Sequence, residues 1–83
     1  LVELRLDVRE LEPPVPLERI LETLEELPSD DWLKVRHSRE PYPLYSLLRE
    51  LGFDWSTRWQ NGECIILIWH AGNPPPGDSG RRL

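Results

Sequence analysis

The sequence predicts an α+β two-layer sandwich with the element order β-α-β-α-β-β, and three observations carry that prediction. An alternating apolar and polar run opens the chain, and a second begins at residue 32. Each leads through a Pro-x-Pro-Leu step, Pro14-Val15-Pro16-Leu17 and then Pro41-Tyr42-Pro43-Leu44, into leucines at helical spacing. An Asn-Gly pair then joins two further alternating runs. Side chains change face at every residue of a strand, while a helix brings every third or fourth residue to one stripe, so these patterns separate the two element types.

Taken in order, Val2, Leu4, Leu6 and Val8 alternate with Glu3, Arg5 and Asp7, which predicts a strand with one buried and one wet face. Leu11 to Val15 reads as an extended loop, because residues before prolines avoid the helical region. Pro16 suits a helix start, where its missing N–H leaves nothing unpaired. Leu17, Ile20, Leu21, Leu24 and Leu27 then form the apolar stripe, with Glu18, Glu22, Glu25 and Glu26 outside as a solvated face. Pro28 to Asp30 stops this helix. Trp32 to His37 is the second strand, with Leu33 and Val35 on one face. Pro41 and Pro43 open a second helix carrying Leu44, Leu47, Leu48 and Leu51, and Gly52 suits its left-handed C-terminal cap. Phe53 to Gln60 and Glu63 to His70 are strands three and four, turned at Asn61-Gly62. That turn pairs Trp59 with Cys64, Thr57 with Ile66 and Trp55 with Ile68 on one face. On the other it pairs Arg58 with Ile65, Ser56 with Leu67 and Asp54 with Trp69. The domain is expected over residues 1–70, and residues 71–83, with three successive prolines, as a disordered tail.

Sliding the chain along itself, without gaps, until the first Pro-x-Pro-Leu step lies on the second reveals an internal repeat. Leu6 then falls on Leu33, Val8 on Val35, Arg9 on Arg36, Pro14 on Pro41, Pro16 on Pro43 and Leu17 on Leu44. Either the two units share an ancestor, or two strand-to-helix connections have converged on proline at the helix start. Both readings imply right-handed crossovers and parallel first and second strands.

Eighty-three residues suit one domain, and 39% hydrophobic with 30% charged residues suits a folded one. A net charge of -5 with no basic face before the tail argues against nucleic acid as a partner. Cys64 is the single cysteine, so no internal disulfide forms. No run reaches membrane-spanning length and no signal-peptide pattern is present, so no membrane association and a cytoplasmic location are expected.

The run from Leu6 to Leu17 (Leu-Asp-Val-Arg-Glu-Leu-Glu-Pro-Pro-Val-Pro-Leu) resembles the start of the TusA/SirA sulfur-carrier proteins, which hold a Cys-Pro-x-Pro step at their first helix. The run His37-Ser38-Arg39-Glu40-Pro41-Tyr42-Pro43-Leu44-Tyr45, followed by Leu51-Gly52-Phe53, is similar to one branch of that superfamily, the domain-of-unknown-function family 2249. The resemblance covers roughly Leu4 to Trp69. It implies a mixed four-stranded sheet in the order 1-2-4-3, with strand four antiparallel and both helices on one face. The chain departs from the carriers at one position: Pro13 stands where they keep the persulfide cysteine. Proline has no nucleophile, so sulfur transfer by that residue is excluded.

Several residues become candidates in this frame. Both helix-start loops lie beyond the carboxyl ends of adjacent parallel strands, the usual ligand edge of such a sheet. Two helix N-termini there offer unpaired N–H groups to an anion, with Arg9, Arg36, His37 and Arg39 nearby. Alternatively, Glu12 and Glu40 already complement those termini. In a favourable register Cys64 approaches His37, which would make a reactive thiolate. The alternative is a buried core cysteine beside a histidine bonded to loop backbone. His37 and His70 end neighbouring strands at opposite ends, roughly 20 Å apart, so no metal site is expected, nor any cofactor. Trp32, Ile65, Leu67 and Trp69 point away from the helices. They suggest a homodimer or protein partner on an open sheet face, unless Pro74 to Pro76 cover them or they are ordinary surface apolarity.

Three readings of function follow. The favoured one is a binding or adaptor module without catalysis. The others are a sulfur- or redox-linked carrier using Cys64 near His37, and a small-anion or cofactor-binding domain at the helix N-termini.

Overall fold

The six elements form in the expected order in the computed structural model, which describes residues 1–76. They are β1 (Glu3–Asp7), α1 (Val15–Glu25), β2 (Trp32–His37), α2 (Tyr42–Leu51), β3 (Phe53–Gln60) and β4 (Glu63–His70). The sheet order is β1-β2-β4-β3. β1 runs parallel to β2, and β4 is antiparallel to both β2 and β3. Of the expected tail, residues 77–83 lie outside the described residues.

Local chemistry accounts for the boundaries. Asn61 and Gly62 both have positive φ, 53° and 78°, the backbone of a two-residue hairpin turn whose twist matches that of the strands. Gly52 caps α2 at φ 89°, and its N–H donates to the carbonyls of Arg49 and Leu48. Both helices carry proline in their first turn, and neither has a side-chain cap. The hairpin register pairs Trp59 with Cys64 and Asp54 with Trp69, as the turn demands.

One core lies between the helices and the sheet. Ile20 and Leu24 of α1 and Leu44 and Leu48 of α2 pack with Leu33, Val35, Cys64, Ile66 and Ile68. Apolar burial of this kind is the main stabilising contribution in a chain of this size.

The internal repeat survives only in part. The helix starts keep its offset, with Tyr42 of α2 answering Val15 of α1. The strands do not: Leu6, which the repeat aligns with Leu33, pairs instead with Val35, and Leu33 takes Leu4. The buried helix positions shift as well. Pro16 aligns with Pro43 in sequence, but the buried counterpart in α2 is Leu44, and Ile20 is likewise answered by Leu48 rather than Leu47. The connection from β1 to α1 spans 8–14 and that from β2 to α2 only 38–41, so equal sequence does not become equal environment. Beyond β4 the chain stays attached. Ala71 N–H donates to Gly52 O (2.9 Å), and the Asn73 side-chain amide to Ser29 O (2.6 Å). Among the described residues, no helix is long and apolar enough to cross a membrane.

Candidate functional site

The two helix-start loops meet over the carboxyl ends of β1 and β2 and enclose a groove of about 360 Å³. Pro14, Pro16 and Leu17 form one wall, and Pro41, Pro43 and Leu44 the other. Pro13 also lines the groove; its bond to Pro14 is cis. His37, Arg39 and Glu40 supply its polar groups. A larger depression of 520 Å³ lies at the other end of the sheet, around Arg49, Gly52 and Asp54, but those three residues are exposed and bring no buried polar group to it.

His37 ends β2 on the core face and is only 5% exposed. Its Nδ1 accepts the backbone N–H of Arg39 at 3.2 Å. A ring nitrogen that accepts is unprotonated, so in the neutral imidazole the proton sits on Nε2. Among the described residues Nε2 has no protein partner, and it is the nitrogen left for the groove. Burial pushes the His37 pKa down, and the nearby Arg39 charge pushes the same way. The groove therefore holds a neutral ring with one N–H left to donate.

Cys64 lies directly opposite His37 in the β2–β4 register and is fully buried. Burial raises its pKa and the Glu40 carboxylate adds to the rise, so the group is a thiol rather than a thiolate. His37, neutral and bonded through Nδ1, provides no positive charge to reverse that. Glu40 does not cap α2: its Oε2 accepts the Tyr45 hydroxyl at 2.9 Å, and that hydroxyl also meets Thr57 Oγ1 at 2.8 Å. Tyr45 stacks on Trp55 with ring centroids 5.4 Å apart, so Glu40 is anchored to the hairpin through a packed side chain. The Glu12 side chain is exposed and caps nothing; its carbonyl accepts Val15 N–H.

Arg9 and Arg36 do not reach the groove. Arg36 sits between Val35 and His37, which face the helices, so strand alternation sends it to the opposite face. There its guanidinium grips Glu63 in two-point fashion at 2.8 and 2.7 Å. Arg9 bridges Asp7 (2.7 Å) and Glu63 (3.1 Å). The Arg9 guanidinium and backbone N–H hold Asp7 down to about 2, and Arg36 holds Glu63 below the usual carboxylate range. Both arginines are satisfied within a surface network.

The face away from the helices is less open than the alternation suggests. Ile65 and Trp69 are each only 7% exposed, while Trp32 and Leu67 are half-buried. Trp32, Trp69, Asn73 and Pro74 to Pro76 line one cleft of about 220 Å³. The prolines that form the groove walls are legible in sequence as helix starts; that two such starts face each other is a property of the parallel β1–β2 pair. Among the described residues no group of three potential metal ligands comes together.

A family model described as an uncharacterized conserved protein (DUF2249) matches residues 5–70. Comparison with curated proteins and with solved structures returns no match.

Proposed function

We propose, for a chain that belongs to the DUF2249 family, a non-catalytic binding module whose ligand occupies the groove between the two Pro-x-Pro-Leu steps. The observation that carries this reading is His37: a buried neutral ring whose Nδ1 is committed to Arg39 N–H, leaving Nε2–H for a groove whose walls are mostly proline and leucine. A ligand that fits has an apolar body and one hydrogen-bond acceptor. Arg39 favours a negative charge on that acceptor and Glu40 opposes it; the helix starts add little, because Tyr42 N–H donates to Glu40 O, Leu44 N–H to Pro41 O and Val15 N–H to Glu12 O, while Pro16 and Pro43 have no N–H. The volume lies in the range of small-molecule pockets. The TusA/SirA-like kinship belongs to this proposal. Pro13 would then turn a covalent carrier position into a groove wall, and binding would replace transfer. The buried, protonated Cys64 supports binding over thiol chemistry.

Benzoate is a suitable probe, with inorganic phosphate as an anion that lacks the apolar body. Benzoate raises the melting temperature of the intact chain, phosphate raises it less, and His37→Asn abolishes the benzoate effect while keeping an acceptor near the Nδ1 position. A melting temperature unmoved by benzoate, or moved equally in His37→Asn, removes the reading.

A further inference from the structure

On the other face of the sheet, Trp32 of β2 and Trp69 of β4 stand directly opposite each other in the register. Opposed side chains on neighbouring strands lie close enough to form one continuous surface. Here that surface is aromatic. The Trp32 indole N–H is used, donating to Glu3 Oε1 at 3.0 Å. The Trp69 indole N–H is not: the residue is only 7% exposed, and its buried Nε1 has no partner among the described residues. Buried tryptophan normally finds an acceptor, and an orphaned one marks a place where something else supplies it.

Pro74, Pro75 and Pro76 line the same cleft. The segment is anchored before it reaches the tryptophans, through Ala71 N–H to Gly52 O, Asn73 N–H to His70 O and the Asn73 amide to Ser29 O. The prolines themselves have no N–H to donate, and none of their carbonyls meets Trp69 Nε1. In the cleft they make no hydrogen bond with another described residue. Asp30 and Asp31 stand at its rim, Asp31 with Oδ1 already accepting Val2 N–H at 2.8 Å and lying 3.4 Å from the Leu1 amino group.

We propose that the Trp32–Trp69 cleft is a docking site for a proline-rich segment of a partner protein, which displaces Pro74 to Pro76. A proline-rich segment adopts an extended left-handed helix with no internal hydrogen bonds, so its carbonyls are free acceptors and little ordering is lost on binding. Aromatic grooves recognise such segments by stacking on the rings and donating a hydrogen bond to a carbonyl. This cleft has paired rings, an unused indole donor and a resident proline run that leaves the donor empty. The Asp30 side of the rim selects a partner with lysine or arginine beside its prolines. The site is separate from the His37 groove and stands or falls independently of it.

The experiment follows the four indole N–H resonances by NMR as an oligoproline peptide ending in arginine is added. The intact chain is compared with the variant Pro74→Ser, Pro75→Ser, Pro76→Ser and with Trp69→Phe. The Trp69 indole signal moves downfield and saturates. The triple variant binds about tenfold more tightly, because no resident segment competes. Trp69→Phe loses binding, and the same peptide ending in glutamate binds more weakly. Absence of a saturable Trp69 shift in both the intact chain and the triple variant overturns the proposal, as does a shift confined to the indoles of Trp55 or Trp59. If Trp69→Phe fails to fold, the Trp69 signal of the intact chain decides alone.

Discussion

His37→Asn separates a titrating buried ring from an isosteric acceptor that does not titrate. In the folded chain His37 is neutral and its pKa lies below the ordinary 6.5, because burial and then the Arg39 charge disfavour the imidazolium. The unfolded chain therefore binds a proton first as the pH falls. Stability from the neutral ring is complete above about pH 6.5 and is lost as pH falls towards the folded pKa. The slope for one proton is at most about 1.4 kcal/mol per pH unit. The structure bounds the total. Protonating Nδ1 turns the acceptor of Arg39 N–H into a second donor, and stranding a buried N–H costs about 1–3 kcal/mol. Of the groups around the ring, Arg39 is positive, Cys64 is a thiol, and the α1 and α2 side chains Pro16, Leu17 and Leu44 are apolar. Glu40 is the one carboxylate among them, and its Oε2 is engaged by Tyr45. Urea unfolding from about pH 7.5 to about pH 5.5 reads the effect. The native chain should lose about 1 kcal/mol more than His37→Asn over that interval, and one proton allows no more than about 1.4 kcal/mol. Parallel losses in the two proteins would refute the assignment of Nδ1 as acceptor and of the ring as neutral.

Two further outcomes follow from the same neighbourhood. Cys64, fully buried with its pKa raised by burial and then by Glu40, should be alkylated by iodoacetamide far more slowly in the folded chain than in urea; equal rates would show an accessible thiol. Tyr45→Phe removes the hydroxyl that joins Glu40 to Thr57 and should cost about 1–2 kcal/mol in urea unfolding, while the native phenol, held up to about 12 mainly by burial, should titrate later than free tyrosine by ultraviolet absorbance.

The sheet was legible because its signals are local and periodic. Asn61-Gly62 alone sets the whole β3–β4 register, and with the 1-2-4-3 strand order it puts Cys64 at the end of the sheet where His37 lies. The site was legible as a place but not as a constellation. Arg36 lies between two residues that face the helices, so alternation already sends it away from the groove. Grouping it with His37 by sequence proximity ignored that. Which nitrogen of His37 carries the proton depends on the loop turning back so that Arg39 N–H meets the ring, and no residue pattern encodes that turn. The unused Trp69 indole was equally hidden, because an orphaned donor appears only once every neighbouring acceptor has been placed.

The repeated Pro-x-Pro-Leu step shows how far a sequence repeat can differ from a structural one. Its two copies match at both prolines and the leucine, yet Leu6 pairs with Val35 rather than Leu33, and the first buried position of α1, Pro16, is answered in α2 by Leu44 rather than Pro43. With equal spacings the two loops would present equivalent side chains, and the groove between them would have near-equivalent walls. The longer first connection instead contributes Pro13, while the shorter second one runs from His37 through Arg39 and Glu40. One wall is therefore almost wholly apolar and the other carries every polar group. That asymmetry orients a ligand, with its apolar body against the first step and its acceptor towards the second.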